Sequence, residues 1–258
     1  MNKDLPSTEI LGVDITTASK QHVLKYIFKR LHNNKDKFYI VTPNPEILVY
    51  ASRSRVFRQV LNGATVSLPD GVGVLAAGKI LKKRIMGRIT GVDMMESMCR
   101  EASKRHVTVG FLGGRGGVAE QTAECLTKKY LGLIVSFAGE EWPIQNIEDR
   151  RSNMEGNQNS KFKIQNSQNI HADILFVAFG FPRQEEWIAK NLSKIDVTCA
   201  MGVGGAFDYI SGKVKRAPKL IRSIGMEWAF RLIVQPWRLR RQLALPQFIF
   251  EIIKERMR

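Results

Sequence analysis

Asp70 is the only carboxylate in the run Leu68-Pro-Asp-Gly-Val-Gly73, where it is held between a proline and a glycine. A second run, Thr42-Pro-Asn-Pro-Glu46, supplies a hydroxyl and an amide. Each run follows a short apolar segment, Phe38–Val41 before the second and residues 64–68 before the first. Such segments read as buried strands of a parallel sheet. Ligands of open α/β sheets bind beyond the carboxyl ends of the strands. Thr42, Asn44 and Asp70 are therefore expected at one rim, with Asp70 placed as a general base. Each also has a plainer reading: an Asx turn before Gly71 for Asp70, a strand-end hydroxyl for Thr42, a turn former for Asn44.

Four further groups point toward the same rim. Gly113-Gly-Arg-Gly-Gly117 follows one apolar segment and opens a helical one. There Gly113 and Gly114 let the backbone approach a phosphate, as a plain tight turn also would require. The spacing is neither a full dinucleotide fingerprint nor a Walker loop. Arg88 lies in Met86-Gly-Arg-Ile-Thr-Gly91, between glycines that suggest close packing. Arg183 and Gln184 fall in the first turn of a helix after Phe179-Gly-Phe-Pro182, suited to an anion or a sugar hydroxyl. In Gly202-Val-Gly-Gly-Ala-Phe-Asp208, Gly204 permits close approach and Asp208 can accept from hydroxyls. Lys213, Lys215 and Arg216 then bring cations that would steady a departing diphosphate as a metal does. The chain has no Asp-x-Asp pair, and its four histidines and three cysteines show no metal spacing. No metal and no cofactor are expected.

These residues need a scaffold. Apolar segments at 9–13, 38–41, 64–68, 107–112, 133–137, 173–179 and 197–203 read as strands. Helical patterns lie between them: one capped by Thr16 or Thr17 and running to Leu31, one opened by Pro45, one over 71–81, one capped by Thr90 and reaching His106, and others over 118–130 and 184–192. The alternation predicts a Rossmann-like parallel α/β sheet flanked by helices. Residues 143–170, rich in Asn, Gln and Ser, read as a polar insertion or long loop. Two regions are expected: a core over 1–212 and a basic, amphipathic helical appendage over 213–258. In the appendage Ile221, Ile224, Trp228 and Leu232 step along one helix. Phe248, Ile249, Ile252, Ile253 and Met257 form the stripe of a second.

Charge narrows the partners. The chain of 258 residues carries 40 Lys and Arg against 24 Asp and Glu, a net +16. From Lys213 onward there are 12 basic and 3 acidic residues, so more than half of the excess sits in the appendage. A surplus of that size predicts an anionic partner: nucleic acid, an anionic membrane or a phosphorylated substrate. Interleaved cations and apolar stripes favour a membrane surface, with Arg238, Arg240 and Arg241 on headgroups; a plain helical cap on the core is the alternative. No apolar run reaches the length of a membrane span, and the first residues lack an apolar signal core. The expected location is the cytoplasm, peripheral on the inner face of the cell membrane.

Taken together and in order, Thr42-Pro-Asn-Pro-Glu46, Pro69-Asp-Gly-Val-Gly73, Arg88-Ile-Thr-Gly-Val-Asp93, Phe111-Leu-Gly-Gly114, Phe179-Gly-Phe-Pro-Arg-Gln-Glu185 and Gly202-Val-Gly-Gly-Ala-Phe-Asp208 through Lys215-Arg-Ala-Pro218 resemble the WecG/TagA/CpsF glycosyltransferases. The resemblance spans nearly the whole chain. It implies a metal-independent, inverting glycosyltransferase with a Rossmann-like core. Such enzymes move N-acetylmannosamine, or its uronic acid, from a UDP-sugar to undecaprenyl-diphosphate-linked N-acetylglucosamine, in teichoic acid or surface polysaccharide synthesis. The family's base matches Asp70, and its pocket residues match Thr42, Asn44, Arg88 and Gln184. A basic appendage that meets the membrane and helps complete the site matches the segment from about Lys213. Residues 143–170 depart from the family pattern. A different donor such as UDP-glucose, for exopolysaccharide, is the near alternative, and a homo-oligomer is left open.

Two other classes are weighed against this. A basic nucleic-acid-binding α/β protein would explain the charge, but no nucleic-acid motif occurs and the tail is too apolar, so no nucleic-acid partner is expected. A nucleotide-dependent oxidoreductase would need an acidic ribose ligand about 20 residues beyond the glycine run. Only Glu140 and Glu141 lie near, and they are offset.

Overall fold

The computed structural model describes residues 5–33, 36–141, 171–223, 225–236, 239 and 243–257. The expected insertion at 143–170 and the arginines at 238, 240 and 241 fall outside these residues.

The first apolar run is not one strand. It forms a hairpin, β1 (Ser7–Ile10) and β2 (Val13–Thr16), paired antiparallel in a separate two-stranded sheet. Leu11 and Gly12 reverse the chain with φ of 49° and 78°, and glycine carries the left-handed turn at low cost. Helix α1 (Lys20–Asn33) follows. Its first turn is capped by Ser19, whose Oγ accepts from the His22 N–H at 3.3 Å, and not by Thr16 or Thr17. The Thr16 hydroxyl accepts from the Ser67 N–H at 3.1 Å, and Thr17 donates to the Pro6 carbonyl at 3.1 Å.

Strand β3 (Phe38–Val41) leads into α2 (Pro45–Arg53). A helix the sequence reading omitted, α3 (Arg55–Asn62), starts at once because the Ser54 hydroxyl caps it. Then come β4 (Val66–Ser67), α4 (Val72–Ile80), α5 (Gly91–Ala102), β5 (Thr108–Gly113), α6 (Val118–Lys129), β6 (Ile134–Gly139), β7 (Ala172–Ala178), α7 (Arg183–Asn191) and β8 (Val197–Gly202). Among the described residues β3 to β8 form one six-stranded parallel sheet in the order β4-β3-β8-β7-β5-β6. The expected parallel α/β fold is the one observed.

Both faces of the sheet are buried, which explains the near-continuous apolar strands. Alternate residues go to opposite cores. Ile40, Phe111 and Phe176 pack with Ile27 of α1, Met94 of α5 and Val118 of α6. Val41 packs with Ile47, Phe57 and Val74 of α2, α3 and α4, and Leu112 and Val177 with Ile188 of α7. Helices on both sides leave the carboxyl rim as the open edge.

After β8 come α8 (Ala206–Ile210), α9 (Lys219–Ser223), α10 (Glu227–Val234) and α11 (Ala244–Met257). The single helix expected across Ile221 and Leu232 is broken. Gly225 takes φ 80° against Val72, which a Cβ at that position would strike. The stripe expected on the last helix divides as well. Phe248 and Ile252 are buried in the cluster that holds Ile10, Ile47 and Leu48, while Ile249, Ile253 and Met257 stay exposed. Glu255 secures α11 at its far end, accepting from the Leu11 N–H at 2.8 Å and pairing with Lys83 at 2.7 Å.

Candidate active site

The carboxyl ends of the strands open into a cleft of about 1890 Å³. Single small-molecule sites occupy roughly 300–1,000 Å³, so this one has room for two substrates side by side. Asp70, Thr42, Asn44 and Arg88 all line it, as do Gly114, Arg183, Gln184, Gly204, Asp208 and Lys213.

Asp70 is placed by backbone bonds. The Leu68 N–H donates to Val41 at 2.8 Å and the Asp70 N–H to Pro43 at 3.0 Å, tying the strand-end loops of β3 and β4 together. Ile89 donates to Pro69 at 3.0 Å from the other side. Gly71 leaves the loop at φ 99° to start α4, a conformation that favours glycine. Gly73 lies so close to the ring of Pro45 that a Cβ would overlap it. The Asp70 carboxylate is thus fixed between α2, α4 and the start of α5. Burial pushes its pKa up to about 7, and Glu227 adds to the rise; the Gly91 N–H and the Arg88 guanidinium act against it. A carboxyl that loses its proton near neutrality suits a base.

The neighbours divide by what they already bond. Thr42 is buried, its hydroxyl 3.4 Å from the Gly202 carbonyl it donates to. Asn44 spends its Oδ1 on α2, accepting the Ile47 N–H at 3.0 Å as the helix cap. Arg88 donates from Nη2 to the carbonyl of Arg222 at 2.8 Å, which ties it to α9. Gln184 is buried and already engaged: its Oε1 accepts from the Gly204 N–H at 2.9 Å, and its Nε2 donates to Glu185 at 2.8 Å. Through these bonds it holds the glycine turn while lining the cleft.

Some expectations meet different surroundings. Gly113, Lys215 and Arg216 are not among the residues lining the cleft. Gly113 packs against Phe179 and Ala178. Arg216 is consumed by two carboxylates, Asp93 at 2.8 Å and Glu227 at 3.0 Å, so it is a tie between α5 and α10 and not a free cation. Asp93 answers to it: burial alone would raise its pKa, but the Thr90 hydroxyl and Arg216 hold it below the ordinary carboxylate range. The glycine loop already has an anion, because Glu140 accepts from Gly116 at 2.6 Å and Gly117 at 3.2 Å. The Gly114 N–H donates to Ala178 at 3.2 Å.

The sequence reading gave no site role to three residues that α10 brings to the cleft, placing Trp228 only in an apolar stripe. Glu227, Trp228 and Arg231 line it. The Arg231 guanidinium lies over the Tyr209 ring, 4.9 Å from its centroid. A signal for Glu227 did exist: it is the only acid between Lys213 and Phe250, and an isolated acid in a basic tail asks for a partner. Among the described residues no group of three or more His, Cys, Asp or Glu side chains is arranged to hold a metal. No helix among them is long and apolar enough to cross a membrane.

Comparison with known proteins agrees with this geometry. The family model described as "Glycosyl transferase WecG/TagA/CpsF family" matches residues 8–258. Proteins of Staphylococcus aureus strains NCTC 8325 / PS 47 and COL are each 31% identical over 247 residues, covering 95% of this chain and 92% of the relative. The protein of strain MRSA252 is 30% identical over the same share. All three are named N-acetylglucosaminyldiphosphoundecaprenol N-acetyl-beta-D-mannosaminyltransferase. The chain belongs to the WecG/TagA/CpsF family of glycosyltransferases.

Proposed function

We propose that this glycosyltransferase moves N-acetylmannosamine from a UDP-sugar to undecaprenyl-diphosphate-linked N-acetylglucosamine, with inversion and without a metal, in the synthesis of a cell-wall polymer such as teichoic acid. The observation that carries the reading is Asp70: a carboxyl at the carboxyl rim, lining a cleft large enough for two substrates, with its pKa raised to about 7. The names of the Staphylococcus relatives supply the sugar and the acceptor.

The reaction is a single displacement. The acceptor hydroxyl oxygen attacks the anomeric carbon, and its proton passes to Asp70. The bond from that carbon to the diphosphate oxygen breaks, and the electron pair leaves with UDP. Thr42 and Asn44 flank the reacting sugars. Arg88, Arg183, Lys213 and Arg231 line the same cleft and offset charge on the leaving diphosphate. Asp208 accepts from donor hydroxyls, and Gly204 and Gly114 let the nucleotide come close to the backbone.

The acceptor is a membrane lipid, so the protein works at the inner face of the membrane. Exposed Ile233, Leu239, Leu243, Phe250 and Met257, with the tail's basic surplus, suit an anionic surface. Incubating the full chain with UDP-N-acetylmannosamine and a soluble N-acetylglucosaminyl-diphosphoryl-lipid analogue tests the chemistry. Release of UDP with a disaccharide product, undiminished by EDTA, is expected. Turnover only with another donor contradicts the sugar assignment, and loss with EDTA contradicts the metal-free step. A chain lacking residues 213–258 is expected to stop floating with anionic liposomes; unchanged flotation contradicts the membrane assignment.

A further inference from the structure

We propose that the arm of the cleft between α4 and α11 is the seat of the first isoprene units of the lipid acceptor. The inference rests on the acceptor assigned above and adds where its chain lies. The lining of the cleft is of two kinds. Arg183, Asp208 and Lys213 are groups suited to a nucleotide and sugars. By contrast α4, which begins immediately after Gly71, contributes Val72, Ala76 and Ile80, and α11 contributes Leu245, Ile249 and Ile252. None of these six carries a polar side chain.

Two packed helices ordinarily close such faces against each other. Here they do so only in part. Phe248 and Ile252 reach the core, yet Val72 remains 38% exposed and Ile249 53% exposed. The apolar side of α11 is therefore only partly covered, and it leaves an apolar slot along α4, whose first residue follows Asp70 by two positions. α4 has nine residues, a length of about 13 Å, so the slot takes the beginning of a polyprenyl chain and leaves the remainder to the bilayer. The exposed Phe250 and Ile253 continue the apolar surface outward along α11. Such an occupant satisfies both ends: the diphosphate stays near the cations and the hydrocarbon leaves water. A nucleotide or a sugar lying against these six side chains would find no side-chain hydrogen-bond partner among them.

The test compares farnesyl diphosphate with inorganic diphosphate on the full chain, by calorimetry below the micelle concentration. Wild type is expected to bind farnesyl diphosphate about tenfold or more tightly than diphosphate, the scale that a few buried methylenes give. Ala76→Trp, which fills the slot from an exposed position, and Ile249→Asp, which charges its wall, are expected to cancel most of that gain and leave UDP binding within about twofold. Equal affinity of wild type for the two probes overturns the proposal, as does a gain that survives both substitutions in folded protein. Because neither probe carries a sugar, failure of sugar transfer with the farnesyl gain intact counts against the donor and acceptor chemistry and not against this slot.

Discussion

Asp70 is costly where it stands, and the cost has a readable pH dependence. Unfolded, an aspartate releases its proton near 3.8; folded, burial holds this one to about 7. Between those values the folded chain keeps a proton that the unfolded chain has lost. Its contribution to stability is therefore full below about pH 4 and declines as pH rises to about 7. Asp70→Asn removes that dependence, so the thermal midpoint of the variant minus that of wild type is expected to grow from pH 4 to pH 7 and then level. A difference that stays flat across the window would show that Asp70 ionises in its ordinary range. With Asp70 as the proposed base, the turnover rate is expected to rise with pH to a midpoint near 7. Arg88 pulls the pKa down. Arg88→Gln is accordingly expected to move that midpoint upward, read from a pH–rate profile.

Caps and ties decide how the elements hold the site. Asn44→Ala is expected to cost about 1 kcal/mol through loss of the α2 cap, while Asn44→Asp keeps the midpoint of denaturant unfolding near wild type. A drop in activity for Asn44→Asp without a drop in stability would then isolate a role toward substrate. Arg216→Gln leaves Asp93 and Glu227 facing each other without their shared cation. A loss of about 1–3 kcal/mol is expected, below that of a fully buried pair because these groups are partly exposed. Faster proteolysis near α10 is the companion readout. Element by element, much of this was legible. Phe38–Val41 is a strand of the expected bounds because its residues are apolar on both faces. Pro45 opens α2 because a first helical turn needs no N–H there. The first strand was misread since Ile10, Leu11 and Val13 give a continuous apolar run, and only Gly12 hints at the reversal. The tail helix was misread for the same reason: its periodicity runs through Gly225, and the contact with Val72 that breaks it is long-range.

At the scale of the whole molecule, the rim could be inferred from order alone, because a parallel sheet sends every strand's carboxyl end the same way. Thr42, Asp70, Gly114, Gln184 and Asp208 come together from five separate segments for that reason. What sequence could not give is which polar atoms were already taken. Gln184, Arg216 and the glycine-loop amides look free in the sequence and are bonded in the fold. Nor could it show that the tail returns across the cleft, since Arg88–Arg222 and Arg216–Asp93 join positions more than a hundred residues apart. A chain ending at residue 212 would uncover the cluster that Phe248 and Ile252 fill. It is expected to melt earlier by circular dichroism and to lose turnover as the wall of Glu227, Trp228 and Arg231 goes with it. All of these statements turn on the carboxyl at the tip of β4. The most direct measurement is the turnover number of Asp70→Asn for sugar transfer at pH 8, beside its thermal midpoint. A fall of about 10²- to 10⁴-fold in a variant at least as stable as wild type is the expected result; turnover within a few-fold of wild type would contradict the assignment of Asp70 as the base.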